Sequence, residues 1–243
     1  MSVVEIRKAV NAADVATQAA TETISSIRAV LSKKSSCHLA LTGGTVGVLT
    51  LAHLAKDPEI KSIDFTKVHF WWGDERFVES TSLDRNANQA KTAFLDHINV
   101  PAENVHEFPS SDLALPLNAA ALLYEEELQR VFGADEVKMD ITHLGMGPDG
   151  HVASLFPGRE SWPGLIVAES DSPKPPAERL SMSLELINKS SKIIFVVSGI
   201  DKAEAFEQVH QNDLCQLPAA KVSARDETLW IVDEAAGAAF WSC

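Results

Sequence analysis

The chain has 243 residues, 45% of them hydrophobic, and a formal net charge of −13. That is enough to bury a full core, as one large α/β domain or two small ones. The charge argues against non-specific binding to nucleic acid or anionic lipid, and no apolar run approaches the ~20 residues that a membrane helix needs.

The N-terminal stretch has Arg7 and Lys8 but no compact apolar region or cleavage site, so it does not read as a signal peptide. Cys37, Cys215 and Cys243 are odd in number and scattered. They point to a reducing, cytoplasmic setting rather than to a disulfide framework or a zinc site. An acidic chain still binds an anionic metabolite through local cations and backbone N–H groups, so each well-placed Arg or Lys is informative.

In chain order, Val10, Ala13, Ala16, Ala20, Ile24, Ile27 and Leu31 recur at helical spacing and predict a long amphipathic helix. Residues 37–41 read as a strand that runs into Thr42-Gly43-Gly44-Thr45-Val46-Gly47 and a helix through Leu54. Residues 68–72 are a second buried strand, ending in Gly73-Asp74-Glu75-Arg76, read as a loop. Helices are expected at about 87–97 and 117–131, and a third strand at 139–144. Five prolines make 157–165 and 171–177 irregular, with short strands at 166–168 and 179–183. The most apolar strand, 193–197, leads through Ser198-Gly199 into a helix near Lys202, and 228–232 is the last strand. Strands alternating with helices predict an α/β fold, a largely parallel sheet with helices on both faces, in one domain with an irregular insertion near 157–190.

Four strand ends carry loops of unusual composition: Thr42–Gly47, Gly73–Arg76, Gly145–His151 and Ser198–Lys202. In a parallel sheet all four lie on one edge and are able to converge. Gly43-Gly44-Thr45 opens a helix, where free N–H groups and the positive helix end suit a phosphate; a helix-capping turn is the plain alternative. No Gly-Lys-Ser/Thr follows, so it is not a P-loop. Arg76 offers a forked donor for a phosphate or a developing oxyanion, against the reading of Asp74-Glu75-Arg76 as a solvated charge run. Lys202 at a helix start opposes the helix dipole unless an anion is present, although an exposed lysine is the commoner case.

The loop after residues 139–144 spends three glycines in six residues and sets Asp149 close to His151. These residue types take a proton from water and hold the resulting imidazolium. Gly145-x-Gly147-x-x-Gly150 matches the dinucleotide fingerprint, with Glu169 about twenty residues on. Only His151–Phe156 is free before Pro157-Gly158, which leaves no room for a crossover helix and disfavours a nicotinamide enzyme. The other seven histidines receive no role, and His143, within the strand, is expected to be packed. No His-x-x-x-His or Cys-x-x-Cys spacing suggests a metal. Ser154 lacks the Gly-x-Ser-x-Gly elbow.

Taken together, LTGG at 41–44, WGDERFV at 72–78, DRN at 84–86, LGMGPDGHVASLFPG at 144–158 and GIDKAEAF at 199–206 resemble the 6-phosphogluconolactonase family. The resemblance spans 41–206 and is most specific at 144–158. It implies a Rossmann-like three-layer α/β sandwich shared with glucosamine-6-phosphate deaminases and ribose-5-phosphate isomerases. It also implies hydrolysis of 6-phospho-D-glucono-1,5-lactone in the oxidative pentose phosphate route.

In that reading His151 is the base and Asp149 its support. Gly43, Gly44 and Thr45 hold the phosphate with Lys202, and Arg76 faces the phosphate or the oxyanion. Asp74 fixes the loop or a sugar hydroxyl, and Arg179 is a further phosphate candidate. The small-molecule substrate is then the only partner required, with neither cofactor nor metal. The deaminase pattern differs in two places. It has a glutamate five residues after the loop histidine, where this chain has Phe156, and a tyrosine where this chain has Arg76. The chain also departs from the lactonase pattern. Thr45-Val46-Gly47 replace Ser-Thr-Pro, and Pro218-Ala219-Ala220 replace Pro-Ala-Ser. A non-catalytic sugar-phosphate sensor would keep the glycine loop and lose the base.

Overall fold

Contiguous apolar runs become the sheet. In the computed structural model, which describes residues 2–242 apart from Glu160 and Asp213, the chain runs β1 (Val3–Ala9), α1 (Ala12–Leu31), β2 (Cys37–Leu41), α2 (Gly44–Lys56), β3 (Val68–Trp72), β4 (Asp74–Arg76), α3 (Asn86–Ala93) and α4 (Leu117–Phe132). It continues with β5 (Ile141–Leu144), β6 (Ile166–Glu169), β7 (Arg179–Met182), α5 (Leu184–Asn188), β8 (Lys192–Val197), α6 (Ala203–Gln211) and β9 (Glu227–Asp233).

Six strands form one sheet in the order β1-β9-β8-β5-β2-β3, every pair parallel. Parallel strands need crossovers, so helices cover the sheet and its inner strands are largely apolar. β8 and β9 show this: Ile193, Ile194, Phe195, Leu229, Trp230 and Ile231 are all buried. Phe195 and Trp230 face each other in register, their rings stacked at 3.5 Å. Helices α1 and α2 pack on each other, and α1 also packs on β8 and β9.

Several elements differ from the sequence reading. The N-terminal segment is a strand, β1, at the sheet edge. Val3 and Val4 are 61% and 59% exposed there, so its pattern carries no core signal. Helix α1 begins at Ala12, because Asn11 caps it by accepting from the N–H groups of Ala13 and Asp14; Val10 lies outside it. The helix expected at 87–97 is α3 followed by a 3-10 turn at Leu95–His97. Asp74–Arg76 is not a loop but a strand. With β7 and β6 it forms a second, antiparallel sheet in the order β4-β7-β6, built largely from the 157–190 stretch, with α4 packed against it.

The expected packing of His143 is observed: it is 2% exposed, and its Nε2 lies 2.8 Å from the Thr23 hydroxyl. Cys37 and Cys215 are free thiols, and Cys243 lies outside the described residues. Among the described residues no helix is long and apolar enough to cross a membrane.

Candidate active site

From β2 the chain steps outward to β3, yet β5 lies on the other side of β2. At such a switch point the loops leaving adjacent strands diverge and open a crevice at their carboxyl ends. A cavity of about 610 Å³ lies there. It is lined by the loops after β2, β5 and β8, by β4 and β7, and by the segment before β7. Gly43, Gly44, Thr45, Asp74, Arg76, His151, Arg179 and Lys202 all border it. Asp149 does not; it stands behind the imidazole.

His151 Nδ1 lies 2.5 Å from Asp149 Oδ1. A carboxylate only accepts, so Nδ1 carries the proton and Nε2 keeps its lone pair. Burial lowers the pKa of His151, as does the charge of Lys174, while Asp149 and Asp74 oppose them. The ring is therefore neutral near pH 7, as a base must be. Burial works against ionisation of Asp149, and the adjacent imidazole outweighs it, holding the carboxyl below its ordinary value.

Gly147 makes this pairing possible. A Cβ there would fall 2.0 Å from His151 Nδ1 and 2.5 Å from Asp149 Oδ1. The loop is closed by Gly147 N–H donating to the His151 carbonyl (2.9 Å) and braced by Ala219 N–H donating to the Gly150 carbonyl (3.0 Å). The Pro218-Ala219-Ala220 segment thus supports the loop through its backbone, without needing a hydroxyl. Among the described residues no helix follows the glycines before residue 184, so the dinucleotide fingerprint is accidental.

Gly43 caps α2 with no side chain, which leaves the first-turn N–H groups facing the cavity. Its lack of a side chain has a second cause. A Cβ on Gly43 would meet Asn86 Oδ1 at 1.9 Å. Asn86 in turn donates from Nδ2 to the Asp74 carbonyl (2.9 Å), tying the glycine loop to β4.

Alternation along β4 sorts the Asp74-Glu75-Arg76 triplet. Asp74 and Arg76 line the cavity, while Glu75 turns away and is 1% exposed. Glu75 accepts from the N–H groups of Arg76 (2.8 Å), Asn86 (2.7 Å) and Ala87 (2.9 Å), and so caps α3. Burial raises its pKa; Arg85 and those N–H groups oppose the rise.

Asp74 Oδ2 accepts from the buried Ser154 hydroxyl at 2.6 Å. Arg76 is paired in register with Arg179 on β7, which brings two guanidinium groups to one wall. Arg76 donates through Nη1 to the Asp84 carbonyl, and its buried Nε has no partner. Arg179 donates to the carbonyls of Lys174 (3.0 Å) and Pro176 (3.2 Å). Lys202 pairs with Asp201.

Sequence reasoning assigned no role to Asn86, Ser154, Glu75 or Lys174. Asn86 falls in the DRN triplet, the one available signal. Lys174 sits in a proline-rich stretch whose composition announces only irregularity. Among the described residues no three His, Cys, Asp or Glu side chains cluster as a metal-holding group.

Residues 10–230 match the model of the glucosamine-6-phosphate isomerases/6-phosphogluconolactonase family. A 6-phosphogluconolactonase of Mycobacterium tuberculosis is 36% identical over 223 residues, covering 88% of this chain and 90% of the relative. The solved structure titled devB protein superposes with a TM-score of 0.85 at 29% identity, covering 98% of this chain and 99% of its own. A monomeric glucosamine-6-phosphate deaminase shares the fold at a TM-score of 0.78 and 21% identity, covering 96% of this chain and 99% of its own. The chain belongs to the glucosamine-6-phosphate isomerases/6-phosphogluconolactonase family.

Proposed function

We propose that this protein hydrolyses 6-phospho-D-glucono-1,5-lactone to 6-phospho-D-gluconate, with His151 as general base. One observation carries the reading. A neutral imidazole backed by a carboxylate shares a single cavity with an uncapped helix N-terminus and several Arg and Lys side chains. The 36% identical Mycobacterium tuberculosis relative, a 6-phosphogluconolactonase, supports the same activity.

His151 Nε2 takes a proton from water as the water oxygen bonds to the lactone carbonyl carbon, and Asp149 stabilises the imidazolium. The tetrahedral oxyanion then collapses. The bond from C1 to the ring oxygen breaks, and His151 returns its proton to that oxygen. General base catalysis of this kind supplies roughly 10²–10⁴-fold.

We assign the 6-phosphate to the N–H groups at Gly43, Gly44 and Thr45 with Lys202 and Arg179, and the oxyanion to Arg76. Asp74, fixed by Ser154, faces a sugar hydroxyl. In this reading the chain works as one domain in the cytoplasm on a small anion, and its net charge of −13 opposes a nucleic-acid partner.

A deaminase is the second reading, because the fold is common to both activities. Against it, the buried Phe156 ring lies 4.8 Å from His151, where the deaminase pattern carries a glutamate.

The test is the opening rate of freshly generated lactone, net of the spontaneous rate, for the native chain and His151→Ala. Acceleration by the native chain that the variant loses is the expected result. No acceleration by the native chain overturns the reading, and ammonia release from glucosamine 6-phosphate is then assayed.

A further inference from the structure

Hydrolysis of a lactone creates charge. The carbonyl of a neutral ester becomes a carboxylate and one proton leaves, so the product carries one more negative charge than the substrate, at C1. Each of the cavity's cations other than Lys174 has a partner within the protein. Arg76 is held by the Asp84 carbonyl, Arg179 by the carbonyls before β7, and Lys202 by Asp201.

Lys174 also lines the cavity, and among the described residues its ammonium has neither a hydrogen bond nor an ion pair. Its backbone, by contrast, is anchored. The Lys174 carbonyl accepts from Arg179 Nη2 (3.0 Å) and from the Ser172 hydroxyl (2.9 Å), and Ser172 N–H donates to the Ala177 carbonyl (3.0 Å). Arg179, 7% exposed, thus latches the strap that carries a free cation to the rim of the site.

Resting on the lactone-hydrolysis reading, we propose that Lys174 is a further catalytic cation, placed to meet the charge that develops at C1 beside His151 and the carboxylate of the product. Lys174 and His151 line the same cavity, and the ammonium's charge opposes protonation of His151 and favours ionisation of Asp201 in the loop after β8. The same field that keeps the imidazole neutral stabilises an oxyanion next to it. An acidic chain gains most from such a cation, since its global field repels the anionic product.

The experiment compares Lys174→Met and Lys174→Arg with the native full-length chain. Two ligands are titrated by calorimetry: the product 6-phosphogluconate, which has both phosphate and carboxylate, and glucose 6-phosphate, which has the phosphate alone. With Lys174→Met, kcat is expected to fall roughly 10- to 100-fold, less than for a buried donor because the ammonium is screened by solvent. Affinity for 6-phosphogluconate falls by a similar factor, while that for glucose 6-phosphate stays within about twofold. The acid limb of kcat/KM moves to higher pH, and Lys174→Arg restores most of the loss.

Equal weakening of both ligands would make Lys174 a phosphate cation and overturn the assignment. Unchanged kcat and unchanged binding would leave it a solvated surface lysine. The binding contrast needs no turnover, so its failure is separable from a failure of the native chain to open the lactone. A thermal melt confirms that the exposed substitution folds.

Discussion

Among the described residues there are two histidine–carboxylate pairs of nearly the same local geometry, and only one stands in the cavity. His151 Nδ1 lies 2.5 Å from Asp149, and His106 Nδ1 lies 2.7 Å from Glu127. The difference is in the second nitrogen. His106 Nε2 is occupied by His69 Nδ1 at 3.0 Å, and its ring is stacked on Trp71 at 3.9 Å. His69 stacks in turn on His38, its partner in register across β2 and β3. His151 Nε2 carries no hydrogen bond among the described residues, and the ring borders the cavity. A carboxylate behind an imidazole fixes its tautomer in both places. Chemistry needs the opposite nitrogen left open, and the sheet supplies that only at its switch point.

The sharpest way to break this comparison is to remove both rings. His151→Asn should cut kcat by roughly 10²–10⁴-fold at an almost unchanged melting temperature. His106→Asn should leave kcat within about twofold and lower stability by about 1–3 kcal/mol, read by denaturant titration. A His106 variant that lost activity would show that the buried pair is coupled to the site.

Gly147→Ala is next. Its Cβ cannot coexist with His151 Nδ1 at 2.0 Å or Asp149 Oδ1 at 2.5 Å, so the paired side chains must shift. A displacement of that order should cost roughly 100-fold in kcat, with full expression of folded protein.

Exchanging the carboxylates separates them further. Asp149→Asn should lower kcat roughly 10- to 100-fold as the imidazolium loses its anion. Glu127→Gln should be silent in the assay and cost about 1 kcal/mol or less in stability.

The smallest effects are in pH. Because His151 is held below its ordinary value, the acid limb of kcat/KM should have its midpoint below pH 6.5. Stability follows from the packed rings. Burial lowers His38 to about 3 and His143 to about 4, while their unfolded values are near 6.5. Between those values the unfolded chain binds protons that the folded one refuses. Stability is therefore complete above pH 6.5 and falls as pH drops toward 4, by about 1.4 kcal/mol per pH unit for each such group. Melting temperatures taken from pH 7 to pH 5 should decrease, and a flat curve would contradict the packing described here.

Much of the sheet was legible because its strands are buried on both faces and read as unbroken apolar runs, as in residues 193–197 and 68–72. The glycine loop at 145–150 was legible for a local reason too, since its turn requires residues that announce themselves. The edge strand β1 was not, because exposed positions impose no pattern. Nor was Glu75, whose charge reads as solvated until α3 is seen to lie over it.

The sequence alone determined the α/β class, the places where loops leave strands, and the residue types at those ends. These properties depend on neighbours within a few positions. Only the tertiary structure decided that Arg76 stands opposite Arg179, that Asn86 closes on Gly43, and that a proline-rich strap brings Lys174 to the cavity that His151 borders. Those pairings join segments tens to about a hundred residues apart. Their geometry is set by strand register and crossover packing, which no short stretch of residues encodes.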